Sequence, residues 1–289
     1  MVYLDTFPAQ DAKMRIDDNI VYRTGGNAAN SAMIFTQLST LSTYFLGSLP
    51  ESISIPEFSR FPVDYSICPR HPASSLPTSI VMITRDNHSR TIIHSRNQLP
   101  ELHSRDFRAV LEQKQDFQVV HFEGRNVPET LEMTRILREA APCSEKLLLS
   151  VEFEANREGI ETLSEFPDIL FFSRGFVQAK GFDNPRDFFD FIIKNWQLRT
   201  QAVLVCAWGS LGAFGYIHAS SWGFDSTRVE HAKAIPLDVI VETVAAGDTF
   251  NAAFLVRYHS SRNLSSALLF ACEIAAKKLQ RRDLAVLSD

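Results

Sequence analysis

The heptapeptide Ala245-Ala246-Gly247-Asp248-Thr249-Phe250-Asn251 carries more structural information than any other part of this 289-residue chain. A valine-rich segment precedes it (Val239, Ile240, Val241, Val244) and reads as a strand. After it, Phe250, Ala253, Phe254 and Tyr258 recur at helical spacing. Small residues at a strand-to-helix turn let backbone N–H groups converge on one point, and the helix start adds partial positive charge there. Such a turn can hold a phosphoryl group during its transfer. Asp248 falls in the first helical turn, where its carboxylate can accept a proton from an incoming hydroxyl. Alone, the heptapeptide reads equally as a helix start with an acidic cap.

A second turn of the same kind stands near the other end. Gly25-Gly26-Asn27-Ala28-Ala29-Asn30 opens a helical pattern continued by Ala32, Met33, Phe35 and Leu38. The glycines permit close approach of the backbone to a ligand, and Asn27 and Asn30 are neighbours on one helical turn. Uncharged amides, which both donate and accept, suit a neutral polyol such as a sugar. Capping is again the plainer reading of this motif by itself. The ordered pair is far more specific than either half.

Between the two turns, short apolar runs alternate with helical patterns. Strands are expected at residues 43–47, 117–122, 146–153, 169–173 and 202–207, and helices at 129–141, 185–196, 247–257 and 265–280. That order predicts an α/β fold with a doubly wound, mostly parallel sheet flanked by helices. Its site would lie beyond the carboxyl ends of the strands, where both turns converge. Residues 77–84 and 90–95, joined by the turn-rich linker 85–89, break the rhythm as a hairpin. With residues 14–22 they would form a small sheet over the sugar site.

Composition limits the alternatives. The chain can bury one large core, and its net charge of −5 has no basic block that would favour nucleic acid. No apolar run approaches the ~20 residues needed to span a bilayer, and the first residues carry no signal-peptide pattern, so no membrane association is expected. Cys68, Cys143, Cys206 and Cys272 lack metal-ligand spacing and fit a reduced, cytoplasmic setting. The eight histidines show no ligand spacing either, and no direct metal ligand is identified. Gly209, Gly212 and Gly215 do not match a dinucleotide or P-loop pattern, and Ser210 has no His/Asp context for a nucleophile. Lys277-Lys278 reads as a solvated helix face.

Taken together, the GGNxxN and AGDTFN turns resemble those of the ribokinase-like (pfkB) carbohydrate kinases, and within them the ketohexokinase (hepatic fructokinase) branch. The resemblance spans about residues 5–278. It is supported by Arg90-Thr91-Ile92, Gly124-Arg125-Asn126, Ser150-Val151-Glu152, Cys206-Ala207-Trp208 and Cys272-Glu273-Ile274. It implies a single kinase domain over 1–289, with a β-sheet lid from about 8–24 and 75–97 through which two copies would form a homodimer. It also implies ATP-dependent phosphorylation of a ketohexose, D-fructose to fructose 1-phosphate, with Mg2+ and room for K+. Asp248 would be the base, ionised beside the helix start. Ala245, Ala246 and Gly247 would complete the anion hole against the ATP phosphates. Gly26, Asn27 and Asn30 would hold the sugar, Arg125 would contact phosphates, and Gly209, Ser210, Leu211 and Gly212 would form the nucleotide-binding turn.

Three departures from that pattern carry expectations of their own. Asp5 fits either the sugar-binding aspartate that ends the family's first strand or a later aspartate ahead of a proline. On the second alignment a central strand is missing, and apolar edges and a void should mark its place. Ala245 stands where the family has glycine, so a positive φ there would be strained. Gln280-Arg281-Arg282-Asp283 lacks the glycines usual near the nucleotide. Besides an active ketose kinase, the sequence leaves open a catalytically impaired sugar- or nucleotide-binding relative, and a kinase for another alcohol such as a nucleoside.

Overall fold

The computed structural model describes residues 1–13, 20–84, 90–114, 116–141, 147–219 and 223–287, without the side chains of Tyr3 and Arg90. The chain runs through β1 (Val2–Leu4), α1 (Asn27–Leu38), β2 (Thr43–Tyr44), β3 (Leu49–Pro50), α2 (Pro56–Arg60), β4 (Val63–Asp64) and β5 (Arg70–His71). The hairpin β6 (Thr78–Thr84) and β7 (Arg90–Ser95) follows, then α3 (Ser104–Gln113), β8 (Val119–Glu123), α4 (Val127–Ala140) and β9 (Leu148–Phe153). The second half contains β10 (Ile169–Ser173), α5 (Arg174–Ala179), α6 (Pro185–Asn195), β11 (Val203–Ala207), β12 (Ala213–Ile217) and β13 (Glu230–Ala232). It closes with α7 (Ala246–Ser261) and α8 (Leu264–Leu279).

The central sheet has the order β13-β12-β11-β10-β9-β8, parallel from β8 to β11 and antiparallel at β12 and β13. Both faces are covered. Alternate residues of β10 and β11 point opposite ways: Ile169, Phe171, Val203 and Val205 pack beneath α1, α7 and α8. Leu170, Phe172, Leu204 and Cys206 pack against α5 and α6. Burial on two faces is why these strands read as continuous apolar runs. Phe153, Phe172, Phe176, Phe188 and Trp196 form an aromatic core on the second face, with Phe172 and Phe188 edge-to-face at 5.0 Å.

Three expectations are corrected. Residues 239–241 form no strand. Their side chains are largely exposed, and the backbone N–H groups of Val241 and Glu242 donate to the Leu279 carbonyl at 2.8 and 3.2 Å. The segment lies across the carboxyl end of α8, and satisfying that helix end takes the place of a sheet ladder. Among the described residues, the third strand of the small sheet is β1, parallel to β6, where the sequence suggests residues 14–22. Of these, 20–22 lie outside any strand, and 14–19 fall outside the described residues.

Finally, β1, which Asp5 follows, does not enter the central sheet. Among the described residues β8 has no strand on its outer side, and β2 pairs only with β4. The edges of β2 and β8 face a common cavity of about 2000 Å3, roofed by β6 and β7.

Phe172→Ala should lower unfolding free energy by about 3–5 kcal/mol, since it empties a fully enclosed aromatic site. Ile80→Ala on the half-exposed hairpin should change it by less than about 1 kcal/mol. Urea titration of both variants measures the contrast.

Candidate active site

The two signature turns meet on one wall of this cavity. Asp248, the third residue of α7, is 6% exposed. It accepts a 2.7 Å hydrogen bond at Oδ2 from the Nδ2 of Asn30, in the first turn of α1. Ser31 Oγ donates to the backbone oxygen of Asp248 at 3.4 Å. A buried carboxylate needs such donors. Asn30 therefore orients the candidate base directly, a partnership that sequence reasoning had assigned only to sugar.

The helix starts share one construction. The residue before α1 is Gly26 at φ 101°, before α4 Asn126 at φ 45°, and before α7 Ala245 at φ 63°, ψ 13°. None of the three supplies a side-chain cap. The expected positive φ at Ala245 is thus present, in the left-handed region where a Cβ is strained.

Asn27 diverges from Asn30. Its Nδ2 donates to Glu154 Oε2 at 2.8 Å and to Glu152 Oε2 at 3.2 Å. Asn251 Nδ2 donates to the other Glu152 oxygen at 2.9 Å. Burial first, then the facing Asp248 and Glu154, push the Glu152 carboxyl up to about 8, with the Asn27 amide opposing. Glu123 is also raised, by burial that Arg125 partly offsets.

Arg125 reaches the cavity through a tight passage. The N–H of Gly124 donates to the Glu152 carbonyl at 2.9 Å, and a Cβ at residue 124 would stand 2.1 Å from that oxygen. Arg125 then pairs with Glu101 at 2.7 Å and lies 3.6 Å from Glu123.

Two expected groups stay outside the cavity wall. Asp5 is exposed at the end of β1. Gly209, Ser210 and Leu211 form a 3₁₀ turn after β11, with Leu211 exposed, and none of the three lines the cavity. Gly212 holds that turn at φ 92°, where a Cβ would come within 2.0 Å of the Ala232 carbonyl. Packing against β13 keeps it away.

Sequence reasoning gave no role to Ser31, Glu152, Glu154 or Asn251. The signal was two carboxylates two residues apart at the end of a buried strand, where charge needs a purpose. It also placed Lys278 on a solvated face. Lys278 is instead 1% exposed, because it continues the buried stripe of Ala271 and Ile274.

Comparisons with known proteins give the family and the fold. The model for the pfkB family of carbohydrate kinases matches residues 1–288. The chain belongs to that family. Its members are phosphotransferases with an alcohol group as acceptor. It is 30% identical to ketohexokinase from Mus musculus over 282 residues, which is 95% of this chain and 90% of that protein. Its fold matches ribokinase from Giardia lamblia with a TM-score of 0.82 at 13% identity, covering 99% of this chain and 92% of that one. Arabidopsis thaliana ribokinase complexed with ribose and ATP matches at 0.74 and 18% identity, covering 100% and 91%.

Relief of the backbone strain at Ala245 should make Ala245→Gly more stable by about 1 kcal/mol, less the added chain entropy of glycine. Thermal or urea unfolding reads this directly. Glu152 predicts a pH dependence. Its folded value near 8 lies above the ordinary 4.5, so the folded state holds the proton longer. Its contribution to stability falls as pH rises from about 4.5 to about 8, then stays level. The melting temperature of Glu152→Gln relative to the parent should therefore climb across that window.

Proposed function

We propose that this pfkB kinase phosphorylates a ketohexose at the expense of ATP, converting D-fructose to fructose 1-phosphate. The observation that carries the reading is the buried Asp248 held by Asn30 at the start of α7, on the wall of a lid-roofed cavity. The ketose preference is supported by the likeness to ketohexokinase and by the amides of the first turn.

Phosphoryl transfer asks a protein mainly for positioning and charge stabilisation. The sugar hydroxyl would approach Asp248, which takes its proton as the oxygen attacks. The backbone N–H groups of Ala246 and Gly247 would receive the transferred phosphoryl at the helix start. Glu154 and Asp248 make this wall acidic, which fits a nucleotide arriving with its charge neutralised by Mg2+ and would repel a bare triphosphate. The remainder of ATP would extend toward the exposed turn at Gly209–Leu211, with Arg125 freed from Glu101 to meet phosphate. We place the protein in the cytoplasm, on the strength of the free, buried Cys68, Cys206 and Cys272. A homodimer through the lid would cover Ile80 and Ile93, paired across β6 and β7 and about half exposed.

One observation favours a second reading. Asp5 is not among the residues lining the cavity, and among the described residues no strand covers the outer edge of β8, which suits a chain that binds nucleotide yet turns over poorly. ADP release across ketoses, aldoses and nucleosides separates the two. Fructose-dependent release supports the first, adenosine-dependent release overturns the sugar assignment, and bound nucleotide without release supports the second. Asp248→Ala should cut turnover at least ~10²-fold with little change in nucleotide affinity, the signature of a group acting in the transition state.

A further inference from the structure

Behind the anion-hole turn lies a cluster of charge that the proposed chemistry does not use. Glu242 stands three residues before Ala245, with its side chain 3% exposed. Arg23 forks onto it, Nη1 to Oε1 at 2.7 Å and Nη2 to Oε2 at 2.8 Å, and also donates to the Arg282 carbonyl. Lys278 approaches from the last turn of α8. Its Nζ lies 3.8 Å from Glu242 Oε1 and donates to the Arg281 carbonyl at 3.0 Å. Burial works against this ammonium and Glu242 supports it.

Such a cluster is poor value as plain stabilisation. Replacing a buried ion pair with apolar groups of similar volume is often neutral or favourable. What it does here is local. Through Glu242 it pins the segment whose N–H groups already bond the Leu279 carbonyl, and that segment runs directly into Thr243, Val244 and Ala245. Ala245 is strained, and a strained backbone persists only where its surroundings over-determine it. No side chain of the turn itself caps α7. The hydroxyl and N–H of Thr249 hold the Ala245 carbonyl at 2.8 and 2.9 Å from within α7, and the cluster adds restraint from behind.

We propose that Lys278 is a positioning residue for phosphoryl transfer. With Arg23 it locks Glu242, and so holds the 243–248 turn with its N–H groups aimed at the phosphoryl. The inference rests on the kinase reading of that turn, but its consequence for backbone order does not require turnover.

The test uses the full chain and three variants: Lys278→Met, similar in length without the charge; Lys278→Ala, which leaves room for a small cation; and Glu242→Gln. Hydrogen exchange of peptides spanning 243–250 is read first. Lys278→Met should exchange faster there, while peptides from β9 to β11 exchange as in the parent. Unchanged exchange at 243–250 overturns the proposal whether or not the parent is active. With the parent's best substrate, Lys278→Met should lose turnover by ~10²-fold with KM for the alcohol little altered, the loss expected of misplaced catalytic groups. Ammonium or K+ chloride should restore part of the Lys278→Ala turnover in a saturable way. Parental turnover in a folded Lys278→Met overturns the assignment. If both lysine variants fail to fold, Glu242→Gln decides by the same exchange and turnover readings. A parent that releases no ADP fails the kinase reading alone, and the exchange result still judges the lock.

Discussion

Everything in the site depends on the hydrogen bond from Asn30 Nδ2 to Asp248 Oδ2, which joins residues 218 apart in the chain. For it to form, α1 and α7 must start at the same place and lie against one another, and Ile34, Phe250 and Phe254 in their shared core enforce that. The bond helps a carboxylate sit at 6% exposure. The amide fixes the direction of that oxygen and adds no charge of its own. Pairing with arginine would fix it too, and would weaken it as a base.

The same economy runs along the rest of the wall. Asn27 and Asn251 donate to Glu152, and the Glu154 carboxylate takes the second half of the Asn27 amide. Amides thus hold a set of acids close together, and burial first, then repulsion from Asp248 and Glu154, raises the Glu152 carboxyl. The cations nearby are committed elsewhere: Arg125 to Glu101 and Glu123, Arg23 and Lys278 to Glu242. Positive potential at the site therefore comes chiefly from backbone dipoles, which do not move when charge shifts during reaction.

Much of this was legible in the sequence, for definite reasons. The strands β8 to β11 are buried on two faces and announce themselves as apolar runs, and both turns announce themselves by their small residues. The valine-rich segment misled, because β-branched residues signal an extended backbone and not a sheet partner. Its partner is the Leu279 carbonyl, contributed from 38 positions further on, as the residue numbers 241 and 279 give. The placement of β1 could not be read from three residues that suit two sheets equally. Lys278 could have been read: it falls four after Ile274 and seven after Ala271, on the buried stripe, while Lys277 beside it faces water. A pair of adjacent lysines on a helix cannot both share one face.

Three of the helix starts that face the cavity share one capping pattern. Away from the site, α6 and α8 begin with Asn184 and Asn263, whose side chains accept from the first-turn backbone at 3.0 and 2.8 Å. At the site, α1, α4 and α7 begin with a left-handed or glycine residue and no side-chain cap. An uncapped start costs about 1 kcal/mol against a good cap. A residue forced to positive φ adds to that cost. Three such starts on one cavity are a poor arrangement for stability and a good one for ligands, because the N–H groups left over converge where oxygen-rich groups can take them. At Ala245 the strain is greatest, since the residue lacks both glycine's freedom and asparagine's local hydrogen bonding. In the proposed reaction the turn most exposed to distortion is the one that would receive the phosphoryl group, and the charge cluster at the end of α8 helps hold it.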